Sequence, residues 1–440
     1  MNIRTLAIGV LLLVVAPLSA GDSIPAWAAN RDERLPQTRA NHLEFLGVPS
    51  WHDAGVRGKG LKIAVIDSGF RGYKAQVGKS LPVGLVVRSA RKDSNLEAKD
   101  SQHGILCGEV VHAIAPDAEI LFANWDPDNP DSFLDAVRWA KAQGAQVMTC
   151  SVVMPSWSDG EGNGPIHRKL AEILGDGTHP GDPLFFSCAG NTARRAWSGN
   201  FTPGTDGYHQ WNEKVALNAI SPWSEERVSL ELCWSDPEAK YALEVVTPDT
   251  GEPAPGCNYK EHADPYSATA RFIPKSGQSY AVRVKQVAGK PGKFHFNSLA
   301  AYLGEVRLAG SIPFPGDGPE VVTVGAITLE GKRASFSACG PNSCRPKPDL
   351  VAPIPFATFL RDTPFSGTSC ATPQAASVAA LCWSANPDWT ASHVRSYVTS
   401  HARDLGPAGY DTETGYGTVH LPAIAPAPRA LSPKPFAVSR

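Results

Sequence analysis

Residues Phe365 to Leu381 read F-S-G-T-S-C-A-T-P-Q-A-A-S-V-A-A-L: a Gly367-Thr368 turn, a hydroxyl at Ser369, and then an Ala-rich apolar run. The run from Ala371 to Leu381 predicts a small-residue helix. Pro373 fits such a helix only in its first turn, where its missing N–H is not needed. Ser369 therefore sits at or just before a helix N-terminus. Unpaired N–H groups and the positive end of the helix dipole favour negative charge there, which suits a hydroxyl that must carry developing anionic character. A lone serine in this place is ordinarily an N-cap, so its role depends on what the rest of the chain brings to it.

On both sides of this stretch, from Asn41 onward, short apolar runs alternate with helical patterns, the signature of an α/β fold with a mostly parallel sheet and helices on both faces. The predicted strands are Leu61 to Ile66, Gly84 to Val87, Glu119 to Ala123, Gln146 to Val152, Leu184 to Cys188 and Val321 to Ile327. Each is rich in Val, Ile, Leu or Phe, as strands buried on both faces are. The periodicity predicts a helix over Ser132 to Gln143, with Ser132 as cap and Gly144 as stop, and further helices over His167 to Leu174 and Ala391 to Arg403. Between Ser198 and Leu308 the pattern changes to strands alone, separated by Pro, Gly and Asp turns, as in Val228 to Trp234, Tyr241 to Val246, Ala268 to Ile273 and Tyr280 to Gln286. This stretch predicts an inserted all-β sandwich. The expected plan is an α/β unit in two parts, 41–197 and 309–424, interrupted by the 198–308 insert and followed by a Pro/Ala-rich tail over 425–440.

Three further residues fall where open α/β sheets build sites, outside the carboxyl ends of strands. Asp67 follows the strand L-K-I-A-V-I, His103 stands in D-S-Q-H-G-I-L-C-G before a helix, and Asn191 ends L-F-F-S-C-A-G-N. Singly, the Asp and the Asn are turn residues and the His is structural. Together with Ser369 they supply what acyl transfer needs: a nucleophile, a base, a carboxylate to fix the base's tautomer, and a donor for the oxyanion.

V-I-D-S-G, H-G-I-L-C-G, C-A-G-N and S-G-T-S-C-A-T-P-Q-A-A resemble the subtilisin-like serine proteases (subtilases, peptidase family S8), in residue type and in the order Asp, His, Asn, Ser. The order Asp, His, Ser is itself a known property of that family. The resemblance runs from about Trp51 through V-V-T-V-G-A-I-T, A-S-F-S-A-C-G-P and K-P-D-L-V-A-P to G-Y-D-T-E-T-G-Y-G, leaving out the insert and both ends. It implies a subtilisin-like fold and a serine endopeptidase acting on protein or peptide substrates. In that reading Ser369 attacks, His103 moves the proton, Asp67 orients the imidazole, and the Asn191 amide with the Ser369 N–H holds the oxyanion. A sedolisin-type site fits less well, since it would carry Glu in place of the His. A catalytically silent subtilisin-like scaffold whose insert binds a partner is the alternative.

The chain departs from the family pattern at the strand that lines the primary specificity pocket, where Ser-Leu-Gly-Gly becomes Ser151-Val152-Val153-Met154. Glycine lets a peptide backbone approach closely, and Val and Met fill that space. The second flanking segment, ordinarily Gly-rich, is Trp125-Asp126-Pro127-Asp128-Asn129-Pro130. Both changes imply a reshaped cleft and a restricted preference, for small or unusual side chains. The stretch from Gly21 to Ala40 is shorter than the pro-segment the resemblance implies. The insert resembles β-sandwich accessory domains of secreted proteases, which leaves binding to substrate or cell-surface material and a purely structural role both open.

Composition sets the remaining bounds. The 440 residues carry 41 Lys and Arg against 43 Asp and Glu, a formal charge of −2, which gives no reason to expect nucleic acid or a membrane surface as partner. Met1 to Arg4, the apolar run Leu6 to Ala16, and Ser19-Ala20 read as a signal peptide over 1–20, with cleavage expected after Ala20 or near Ala28, followed by a mobile lead-in over 21–40. The protein is expected to be secreted or periplasmic, with no integral membrane segment after signal cleavage. No cofactor is required by the expected chemistry. Asp126, Asp128 and Asp131 offer carboxylates for a structural calcium ion, and metal binding stays open. Nine cysteines leave at least one unpaired. Cys339 with Cys344, and Cys233 with Cys257, are candidate bridges, while Cys107, Cys150, Cys188, Cys370 and Cys382 read as buried thiols. Asn200-Phe201-Thr202 fits a glycosylation sequon.

Overall fold

The computed structural model describes residues 31–204, 206–263, 266–342 and 346–424. The expected signal peptide, residues 21–30 of the lead-in, the tail and Cys344 lie outside the described residues. Helices α1 (Arg31–Leu46) and α2 (Val48–Asp53) lead into the first part of the α/β unit: β1 (Lys62–Ile66), β2 (Val86–Ser89), α3 (His103–Ile114), β3 (Glu119–Asn124), α4 (Pro130–Ala142), β4 (Val147–Cys150), α5 (Pro165–Leu174) and β5 (Leu184–Cys188). Nine strands follow: β6 (Ala196–Asn200), β7 (Asn218–Pro222), β8 (Val228–Trp234), β9 (Lys240–Val246), β10 (Asn258–Ala263), β11 (Tyr266–Phe272), β12 (Tyr280–Ala288), β13 (Lys293–Leu299) and β14 (Ala301–Leu303). The α/β unit then resumes with β15 (Val322–Ile327), β16 (Leu350–Pro353), α6 (Thr368–Ala385) and α7 (Ala391–Ser400).

The seven-stranded sheet has the order β16-β15-β5-β4-β1-β3-β2 and is parallel throughout. Alternation along β1 shows why the strands read as continuous apolar runs. Ile63 and Val65 pack into the layer that holds α3 and α6, while Ala64 and Ile66 pack with Phe133, Leu134 and Val137 of α4 on the opposite face. Helix α6 lies over β16, β15, β5 and β4 with Ala375, Ala376, Ala379 and Ala380 fully buried. Its small side chains let it sit close to the strands, which places its first turn at their carboxyl ends.

The insert forms two antiparallel sheets, β10-β11-β8-β13-β6 and β14-β7-β12-β9, closed over a core containing Trp197, Trp211, Tyr241, Phe294 and Phe296. It is a β-sandwich, as the turn spacing predicts. It docks on the loop after β4: the Ser156 N–H donates to Glu231 Oε2 at 2.8 Å, Ser267 Oγ donates to the Ser156 carbonyl at 3.1 Å, and His295 Nε2 donates to Glu161 Oε1 at 2.7 Å.

Several local expectations are corrected. The lead-in expected to be irregular through residue 40 is helical from Arg31, because the far end of α1 is anchored: Arg39 Nε donates to the Ala357 carbonyl at 2.9 Å and His42 and Leu46 are buried. Helix α4 is capped by Asn129, whose side chain accepts from Asp131 N and Ser132 N, while Ser132 Oγ donates to the Ala90 carbonyl at 2.9 Å. Cys233 and Cys257 are both free thiols. Cys233 pairs in register with Ser267, whereas Cys257 precedes Asn258, which faces Arg271 next to the Phe272–Val228 pair. Five strand residues then separate the two cysteines' levels, about 17 Å along the sheet, beyond the reach of a bridge. The five cysteines read as buried thiols are buried and free.

Candidate active site

The carboxyl ends of three adjacent central strands, β1, β4 and β5, deliver Asp67, Ser151 and Asn191 to one place, and the first turn of α6 brings Ser369 over them. Asp67 is fully buried. Its Oδ1 accepts from the Gly69 N–H at 3.0 Å, and its Oδ2 accepts from His103 Nδ1 at 2.7 Å. A buried carboxylate beside an imidazole nitrogen can only accept, so the Nδ1 proton is fixed and Nε2 carries the lone pair.

The glycines around this pair leave no space for a side chain. A Cβ on Gly69 would stand 2.5 Å from Ser101 Oγ, the group that accepts from the His103 N–H. A Cβ on Gly104 would meet Phe70 Cζ at 2.7 Å and Asp67 Cβ at 2.9 Å. The turn after β1 and the start of α3 are thereby pressed together, which brings the carboxylate to the imidazole. The ring of Phe365 meets the His103 ring edge-on, 5.6 Å between centroids.

Ser369 is the second residue of α6, behind Gly367 at φ 99°, a left-handed conformation that suits glycine. A Cβ at Gly367 would come 3.0 Å from Asn191 Nδ2. Asn191 Oδ1 accepts from both Thr368 N and Thr368 Oγ1, each at 3.0 Å. A backbone N–H can only donate, so this contact fixes which end of the amide is oxygen and turns the NH₂ end away from Thr368. Among the described residues the Ser369 N–H has no acceptor, as expected for an N–H in a helix's first turn. Ser369 Oγ donates to the Ser151 carbonyl at 3.1 Å, and Ser151 Oγ donates to the Ser369 carbonyl at 3.2 Å. Burial raises the Cys107 thiol well above its ordinary value and pushes Cys188 up to about 12, so both stay neutral beside the serine.

His103, Ser151, Asn191, Thr368 and Ser369 line one cleft of about 270 Å³, whose other walls include Val152, Val153, Lys99, Arg195 and Leu299, while Asp67 is buried behind it. Val152 and Val153 have no backbone–backbone hydrogen bond to the rest of the described chain, and the Val152 carbonyl accepts only a weak bond from Cys150 Sγ at 3.7 Å, so this segment can pair with an extended peptide. The sequence reading did not single out Thr368, Lys99, Arg195 or Leu299. Thr368 was within reach of the S-G-T-S motif. The pair Arg194-Arg195 reads as ordinary surface charge, and Leu299 reaches the cleft only because the insert folds back to it. Asp126, Asp128 and Asp131 do not converge on one point. They pair respectively with Arg91 at 3.3 Å, Arg271 at 2.6 Å and Lys169 at 3.2 Å.

The pattern that defines the Subtilase family matches residues 298–417, a span that contains Ser369. Over these residues the chain is similar to the subtilases. It is 33% identical over 132 residues to a subtilisin of Bacillus pumilus, covering 29% of this chain and 46% of that one. It is 34% identical over 197 residues to Subtilisin Savinase of Lederbergia lenta, covering 43% and 59%. The chain thus spans about half the length of these relatives. The structure of the Clostridium perfringens CspB protease superposes with a TM-score of 0.63 over 86% of this chain and 95% of that one at 15% identity, which establishes the shared fold.

Proposed function

We propose that this chain is a subtilisin-like serine endopeptidase that hydrolyses peptide bonds through an acyl-enzyme. The observation that carries the proposal is the convergence of Ser369, Asn191 and an Asp67-oriented His103 on one cleft, with Asn191 Nδ2 and the Ser369 backbone N–H both without an acceptor among the described residues. A peptide aligned along Val152 and Val153 offers its carbonyl to Ser369 Oγ. As Oγ leaves the Ser151 carbonyl and attacks the carbonyl carbon, its proton passes to His103 Nε2, and Asp67 balances the imidazolium. Negative charge gathers on the substrate oxygen between the Asn191 amide and the Ser369 N–H, and the positive end of α6 adds to their effect. The imidazolium then protonates the leaving amine, the C–N bond breaks, and water repeats the sequence on the acyl-enzyme.

Export belongs to the same proposal and rests on the basic and apolar pattern of residues 1–20. Among the described residues no helix is long and apolar enough to cross a membrane. One observation favours a silent scaffold instead: Ser369 Oγ is bonded to Ser151 and not to His103. Turnover of a mixed peptide library by the wild-type chain and by Ser369→Ala decides between the two. Cleavage lost in the variant supports the peptidase, and equal absence in both supports the scaffold.

A further inference from the structure

The cleft at Ser369 carries more positive charge than the chemistry uses. Lys99 and Arg195 line it, and none of its lining residues is acidic. Arg195 is only 8% exposed. Its Nε and Nη2 both donate to the Asn191 carbonyl, the former at 2.9 Å, and its guanidinium carbon lies 4.5 Å from the Trp223 ring centroid. No carboxylate among the described residues acts on it. Burial lowers it to about 10, which leaves it charged at neutral pH. A guanidinium has five N–H donors, so three remain, including both on Nη1. A buried cation without a counter-ion is costly, and a bound anion removes that cost.

The charge continues outward. Past Val152 and Val153 the cleft meets a hollow lined by Arg227 and Arg271, and beyond it a larger one on the insert edged by Arg227, Lys260, Arg271 and Lys275. Two carboxylates touch this path, and both are engaged. Asp128 pairs with Arg271 at 2.6 Å, and Glu231 accepts from Ser156 N at 2.8 Å and Ser229 Oγ at 3.0 Å. The track is basic although the whole chain carries −2.

We propose that the substrate is an acidic peptide, one carboxylate of which pairs with the Nη1–Nη2 edge of Arg195 beside Ser369 while others lie along the Arg227–Lys260–Lys275 track. The inference rests on the peptidase reading and supplies its substrate class. The planar fork of Arg195 matches a carboxylate in two parallel bonds, and Trp223 holds its plane.

The test is equilibrium binding to the Ser369→Ala chain, which needs no turnover and so separates this inference from the peptidase reading. Three fluorescent peptides are compared: one rich in Glu, its Gln counterpart, and the Glu peptide with an amidated carboxyl end. The Glu peptide is expected to bind roughly tenfold or more tighter than the Gln peptide at low salt, the size of a charge-assisted pair. Adding Arg195→Gln should erase most of that margin, Arg195→Lys should keep part of it, and the double change Arg227→Gln, Lys260→Gln should reduce it further out. If amidation alone removes the margin, the anion bound is the chain terminus and the side-chain assignment is overturned. Equal binding of Glu and Gln peptides to the chain with Arg195 intact overturns the whole proposal, whatever the Arg195 variants do.

Discussion

Thr368 clasps Asn191 with both of its donors, backbone N–H and Oγ1, each 3.0 Å from Asn191 Oδ1. The residue before the serine thereby sets which way the amide faces, and in the proposed mechanism its NH₂ end meets the developing oxyanion.

Removing the amide donor with Asn191→Ala is expected to lower kcat by about two to three orders of magnitude, a size known from the matching donor of a subtilisin. Thr368→Val keeps the shape and removes one of the two clasping bonds. Its expected loss is smaller, roughly tenfold, and falls on kcat with KM little changed. Steady-state kinetics on one peptide checks both; a KM effect alone would place Asn191 in ground-state binding.

Asp67→Asn should leave the fold intact and lower kcat by about 10⁴, because an amide can present an N–H to His103 Nδ1 and favour the wrong tautomer. Thermal unfolding that matches the wild type, alongside slow turnover, is the expected pair of results.

The spacing between the β1 turn and α3 gives a separate test. Gly69→Ala puts a methyl 2.5 Å from Ser101 Oγ, so either Ser101 or the start of α3 must move. A loss of about 1–3 kcal/mol in stability is expected, as for overpacking elsewhere, together with reduced activity. Urea denaturation measures the first and kinetics the second. An unchanged chain would show that the turn is slack.

Stability should narrow at high pH because of a buried group away from the cleft. His167 lies between Asp317, 3.1 Å from Nε2, and Glu320, 2.6 Å from Nδ1. Burial opposes its charge, but the two carboxylates outweigh burial and raise it to about 10. The folded value lies above the unfolded one of about 6.5, so this stabilisation is complete below that pH and is lost as pH rises through about 10. Between these values unfolding releases a proton. Calorimetry from pH 6 to 10 should show Tm falling, with a weaker slope in His167→Gln. At the acid end Asp349, buried yet held to about 2 by Lys347 and Arg395, loses its contribution as pH falls from about 4 toward 2.

The residues of the proposed site could be picked out from the sequence because they lie near strand ends, and strands buried on both faces are plain apolar runs. Asp67 comes directly after such a run, Asn191 stands just beyond the Leu184 to Cys188 run, and Ser151 lies near the end of the Gln146 to Val152 run. β16 was missed because Leu350–Pro353 is four residues set among Pro348, Pro353 and Pro355, which read as breakers. α1 was missed because its sequence is polar and its anchoring contacts come from Ala357 and Phe359, more than 300 positions away. Arg195 lay hidden for a similar reason. Nothing local distinguishes it from Arg194, and its setting is made by Trp223 and Leu299 of the insert, which no periodicity brings together with it.

The most direct measurement is labelling with a fluorophosphonate followed by mass mapping of the adduct. The assignment of Ser369 as a nucleophile activated by His103 predicts one adduct, on Ser369, abolished by Ser369→Ala and strongly slowed by His103→Ala. An unlabelled wild-type chain, or an adduct that persists in Ser369→Ala, would contradict it.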